Sequence, residues 1–141
     1  MNRRFPLAGL LRLRQVNQDQ AAADLAAANG RLRESSARRR QALVALDGST
    51  AHIADTAALH AIAAARSAAR GMLTELAAVE DGLRSEATRA QEAFNAARTQ
   101  TIGLEKLKER HAAEVSAEDL RTEQKTLDEL ASRTRGNNDA H

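Results

Sequence analysis

The chain has 141 residues, no cysteine, two phenylalanines as its entire aromatic content and a formal net charge of +2. That length suits one domain, yet so little bulky apolar material excludes a dense globular core. The missing thiols exclude a disulfide framework and a thiolate metal site, which fits a reducing compartment.

Alanine supplies much of the apolar content and buries little area per residue, at about 25 cal/mol per Å². Alanine, glutamate, arginine, lysine and leucine at helical spacing point to long helices or a coiled coil. Asn2-Arg3-Arg4 is basic, but Arg12 and Arg14 interrupt the apolar run behind it, so no signal peptide is expected. No segment approaches the ~20 apolar residues of a membrane span, and a soluble, cytoplasmic protein is the expectation. The small net charge hides an asymmetry. Arg3, Arg4, Arg12, Arg14, Arg31, Arg33 and Arg38-Arg39-Arg40 make the first arm basic, whereas Glu75, Glu80, Asp81, Glu86 and Glu92 make the middle acidic. The two stretches are complementary if the chain folds back on itself.

The first helix is predicted over about 6–46, with Pro6 tolerated in its first turn. Leu11, Leu25, Leu32 and Leu46 share one heptad frame with Gln18 and Arg39, and Leu7, Arg14, Ala21, Ala28 and Ala42 form the companion seam. Asp47-Gly48-Ser49-Thr50 is the clearest break: a glycine able to take positive φ, then hydroxyls able to cap the next helix. The turn is placed at about 47–55, with Asp55 or Thr56 as N-cap. The second helix is predicted over about 56–134. Ile62, Ala69, Leu76, Leu83, Ala90, Ala97 and Leu104 recur every seven residues, beside a seam of Leu59, Arg66, Leu73, Glu80, Ala87, Phe94 and Thr101. Gly71, Gly82 and Gly103 are soft points in it. Gly136-Asn137-Asn138 is expected to end it, leaving 136–141 as a disordered tail.

The predicted fold is all-α: a long antiparallel two-helix coiled-coil hairpin, one domain over 1–135, with the second helix overhanging. At a rise of 1.5 Å per residue the first helix spans roughly 60 Å and the second nearly twice that. If the helices pair directly from the turn, Leu7 lies opposite Asn95 and most of the chain beyond Gln100 lacks a partner.

That overhang, from Leu104 to Arg135, contains neither proline nor glycine. Glu105 with Lys108, Glu118 with Arg121 and Glu129 with Arg133 sit at helix-pairing spacing, around a narrow stripe of Leu104, Leu107, Leu120, Leu127 and Leu130. Such a helix is too polar to make a core of its own and needs a partner. His111 and Glu114 share a face in the reverse of a di-iron order and without a second copy, so His52, His60, His111 and His141 are read as surface residues. No phosphate-cradling loop, dinucleotide fingerprint or zinc-helix motif is present, so no catalysis, metal or cofactor is expected. The arginines could contact phosphates, but the chain lacks the Trp and Tyr platforms of single-strand binders, and no nucleic-acid partner is expected.

The run Leu104-Glu-Lys-Leu-Lys-Glu-Arg110, with Glu123-Gln124-Lys125 and Asp128-Glu129-Leu130-Ala131, resembles the C-terminal helix of the FliJ family. A second match lies in Phe5-Pro-Leu7, Leu10-Leu11 and Leu13-Arg14. The resemblance implies a coiled-coil stalk and chaperone protein of flagellar type III export, not an enzyme. It implies that the paired helix termini enter the central hole of the hexameric export ATPase, much as a γ stalk does in rotary ATP synthases. It further implies contact with the export-gate membrane protein and with export chaperones, at the cytoplasmic face of the membrane. By motif, the implied partner-binding residues are Phe5, Leu7, Leu10, Leu11, Arg14, Leu104, Glu105, Lys106, Leu107, Lys108, Glu109, Arg110, Gln124, Lys125, Asp128, Glu129 and Leu130. The family's gate-contacting segment lies early in the second helix, where the alanine-rich 57–73 region has no alignable match. The competing reading is a generic structural coiled coil, or a basic helical protein on nucleic acid or membrane.

Overall fold

A computed structural model describes residues 3–48 and 54–140 of the chain. Its two elements are α1 (Ala8–Asp47, 40 residues) and α2 (Thr56–Asp139, 84 residues). The fold is an all-α helical hairpin. Compact packing divides it into two units: Asn17–Ala97, and a unit built from both ends of the chain, Met1–Val16 with Arg98–His141.

The helix ends follow local chemistry. Pro6 precedes the first helical residue, and the Ala8 and Leu11 amides donate to the Phe5 and Leu7 carbonyls at 3.1 and 2.9 Å. At the other end of α1 the Gly48 amide donates to the Val44 carbonyl at 2.8 Å. Gly48 does not take the positive φ expected of it; the chain simply continues the helical bonding pattern there. Ser49 and Thr50, expected to cap the next helix, lie outside the described residues. Asp55 caps α2, its Oδ1 accepting from the Ala58 amide at 2.7 Å. α2 is unbroken through Gly71, Gly82 and Gly103 and runs through Gly136 to Asp139, past the end expected near 134. Glycine weakens a helix by about 1 kcal/mol but stops it only where φ turns positive, and Gly136 keeps a helical φ.

In the Asn17–Ala97 unit the heptad frames are the contact faces. Gln18, Leu25, Leu32, Arg39 and Leu46 are half-buried, as are Ala21 and Ala42, and Ala28 is 3% exposed. Ile62, Ala69, Leu76, Leu83, Ala90 and Ala97 answer from α2, with Leu73, Glu80, Ala87 and Phe94 beside them. Leu59 and Arg66 stay exposed. The basic arm meets the acidic middle here: Arg39 Nη1 lies 3.0 Å from Glu80 Oε2 and Arg31 Nη2 lies 3.7 Å from Glu86 Oε2. The Ser36 hydroxyl donates to Glu80 Oε1 at 3.0 Å.

In the terminal unit Leu11 is 5% and Thr101 3% exposed. The Thr101 hydroxyl donates to the Arg14 carbonyl at 3.2 Å, and Arg14 Nη1 donates to Gln100 Oε1 at 2.8 Å. These contacts correct the expected register. Arg14 is level with Gln100 and Thr101, so Leu7 falls near Lys108 rather than Asn95. The sequence estimate assumed that pairing begins at the turn. Instead the first turns of α2 are nearly all exposed, and the partnered part of α2 moves toward its C-terminus.

The buried area is small throughout. The chain exposes 11038 Å², against about 7,000 Å² for a compact monomer of this mass. No described side chain is fully buried. Two stability outcomes follow. Leu83→Ala, at a half-buried seam position, is expected to cost about 1–3 kcal/mol, below the full-core range, whereas Leu120→Ala at 66% exposure should stay within about 0.5 kcal/mol. Urea denaturation of the two variants checks the difference, and equal losses would show that the seam is misplaced. A Cβ at Gly82 meets nothing within 4 Å. Gly82→Ala should therefore raise stability by about 0.5–1 kcal/mol, visible as a higher melting temperature.

Candidate partner-binding surface

The terminal unit brings the two sequence matches together. Phe5, Leu7, Leu10, Leu11 and Arg14 come from its first segment, and Leu104–Arg110 with Gln124, Lys125, Asp128, Glu129 and Leu130 come from its second. Their environments divide them into three groups.

Some are occupied with holding the unit together. Leu11 is buried and Leu104 half-buried on the facing seam. Arg14 is half-buried, and both its guanidinium and its carbonyl are engaged by α2. Phe5 is half-buried against the His111 ring, with centroids 5.7 Å apart at an interplanar angle of 55°, a tilted aromatic contact. His111, read from sequence as a surface residue, is half-buried. The signal was in its position, one heptad beyond Leu104 on the same seam. Arg3 pairs with Asp119, a contact that no short-range spacing could reveal.

A second group forms an apolar rim that the seam leaves in solvent. Leu7, Leu10 and Leu107 are 39%, 38% and 42% exposed. Leu10 and Leu107 flank the seam at equivalent heptad positions, so antiparallel pairing sets them along one edge.

The third group is charged and unsatisfied. Glu105, Lys106, Lys108, Glu109 and Arg110 are exposed, and the ion pairs among the described residues include none of them. The expected pairs Glu105–Lys108, Glu118–Arg121 and Glu129–Arg133 do not close within 4 Å. Exposed side chains at that spacing gain too little to fix their rotamers.

α2 is half-buried at intervals as far as Asp119, then exposed at every position from Leu120 to Asp139. The free stretch therefore begins later than the Gln100 expected from sequence. In the observed register α1 begins at Ala8, level with Leu107, and the segment before it reaches as far as Asp119, which Arg3 pairs. Leu120, Leu127 and Leu130 lie on a different face, so they do not extend the stripe of Leu104. Gln124, Lys125, Asp128, Glu129 and Leu130 all belong to this free stretch.

A groove of about 280 Å³ in the Asn17–Ala97 unit is lined by Ala42, Ala45, Leu46, Ile62, Ala65, Arg66 and Ala69, without a carboxylate or histidine. Among the described residues no group of three His, Cys, Asp or Glu could hold a metal ion. No helix among them is long and apolar enough to cross a membrane. The arrangement offers surfaces.

A family model described as Flagellar FliJ protein matches residues 3–139. No curated protein matches the chain, and no solved structure does. With nearly its whole length matched and its fold an all-α helical hairpin, the chain belongs to the FliJ family, the non-enzymatic coiled-coil components of flagellar protein export.

Proposed function

We propose that this protein is the central stalk of the flagellar export ATPase, docking through its terminal unit into the lumen of the hexameric ring. The observation that carries the reading is that Lys106, Lys108 and Arg110 are exposed and outside every ion pair among the described residues, around the helix from the apolar rim of Leu7, Leu10 and Leu107. A stalk must seat in a charged lumen and still be released. Solvated charges, each worth at most about 1 kcal/mol and screened by salt, permit that better than a large apolar interface. The free stretch from Leu120 to Asp139 adds Lys125, Asp128 and Glu129 to the same surface. Contacts with the export-gate membrane protein and with export chaperones belong to the same proposal, with the protein cytoplasmic and held at the membrane face through those partners.

Reversing Lys106, Lys108 and Arg110 to glutamate should leave helicity and melting nearly unchanged, since no intramolecular pair is broken. The same variant should lose binding to the export ATPase in a pull-down, and with it any stimulation of ATP hydrolysis. A matched control is Arg33→Glu with Arg40→Glu, both exposed on α1; Arg39 is unsuitable because it faces Glu80. Retained ATPase binding by the triple variant, with loss in the control, would sink the assignment of the terminal unit.

Binding of the unmodified protein should also weaken as salt is raised from about 0.05 to 0.5 M, as the Debye length shrinks below the spacing of rim charges. Surface plasmon resonance against the immobilised ATPase measures this. Salt-independent binding would mean that the apolar rim alone makes the contact.

A further inference from the structure

The seam of α2 runs on past the start of α1. From Lys108, the residues His111, Val115, Glu118, Thr122 and Lys125 follow at alternating spacings of three and four, which keeps them on one face of the helix. Lys108, Thr122 and Lys125 are exposed, whereas His111, Val115 and Glu118 between them are half-buried. α1 does not cover them, because it begins level with Leu107. What reaches them is the non-helical segment 3–7. Its Phe5 ring rests on the His111 ring, and its Arg3 guanidinium pairs with Asp119.

This cover is lightly held. Among the described residues, no backbone–backbone hydrogen bond outside the helices joins the segment to α2. The Arg3 and Asp119 side chains are 69% and 42% exposed, which leaves their pair hydrated and weak. The other anchor is a single tilted ring contact. The hydrogen bonds of α1 begin at the Phe5 carbonyl, so lifting Arg3 and the Phe5 ring costs the helix none of them.

We infer that segment 3–7 is a clasp that competes with a partner for the α2 face from His111 to Asp119. Lifted, it bares one unbroken face from Lys108 to Lys125. That face joins the two blocks, 104–110 and 124–130, which the closed clasp keeps apart. The clasp also displays what the face accepts: an apolar ring over His111 and a cation at Asp119, beside Glu118. The partner element that replaces it therefore presents a basic and an apolar residue together. With the export ATPase as that partner, as proposed above and on which this rests, the closed form binds more weakly than the open one.

Two single substitutions open the clasp with opposite changes in charge. Arg3→Asp and Asp119→Arg each set like charges against each other. In amide hydrogen exchange, each should lower the protection of 111–119 toward that of 120–139 and leave 97–107 unchanged. The charge-swapped double variant, Arg3→Asp with Asp119→Arg, should restore it. Binding to the ATPase, by surface plasmon resonance, should tighten about two- to fivefold in both single variants and return in the double one. A mere charge effect would move the two single variants in opposite directions. The chain has no cysteine, so Arg3→Cys with Asp119→Cys can be joined by a short bismaleimide that holds the clasp shut. The joined product should bind about tenfold more weakly than the same variant left unjoined.

Unchanged exchange at 111–119 in both single variants would show that the segment covers nothing. Exchange that responds, with the joined product binding as well as the unjoined one, would show a cover for which no partner competes. Absence of ATPase binding in every form, the unmodified chain included, would overturn the docking reading and the competition with it, while the exchange cycle still decides whether the clasp exists.

Discussion

Two helices that face each other mainly through alanine have little area with which to hold together. Every other feature follows from that constraint. Alanine lets the backbones approach but buries few carbons, so the few large or polar side chains on the seam decide where the helices engage. Leu11 and Leu104 close the terminal unit, and Leu32 and Leu83 anchor the other. Between such points the seam is filled by Ala21, Ala28, Ala87 and Ala90, which tolerate proximity without specifying a partner.

Polar seam residues supply the specification that alanine cannot. Thr101 reaches the Arg14 carbonyl and Gln100 takes its guanidinium, which ties one level of the terminal unit. Ser36 and Arg39 do the same for Glu80 in the other unit. Each such contact is weak evidence for stability, because removing charge from water costs about as much as pairing returns. Each is evidence for register, because it closes only where those two levels of the helices meet. Surface pairs such as Arg38 with Glu34 and Arg84 with Asp81 carry no such information, since they lie within one helix.

α1 begins level with Leu107, and from Leu120 onward every position of α2 is exposed. The same unit exposes Leu7, Leu10 and Leu107 and leaves Lys106, Lys108 and Arg110 unpaired. The arrangement thus combines a paired part that fixes the geometry with a free part whose charges stay in solvent.

The heptad frames were legible in the sequence, because helical periodicity survives even when half the seam is alanine. The all-α class, the break after Asp47, the Asp55 cap and the complementarity of Arg31 and Arg39 with the acidic middle follow from local spacing and charge alone. So does the family, through the motifs at the two ends. Register was not legible. A heptad repeat is satisfied equally by slides of seven residues, and only the contacts of Glu80, Thr101 and Arg14 choose among them. The length of the free stretch inherited that ambiguity, as did the roles of Arg14 and His111, which turned from candidate surface groups into parts of the packing. Gly136 shows the same limit on a smaller scale: composition marks a place where a helix can end, and only the backbone's φ decides whether it does.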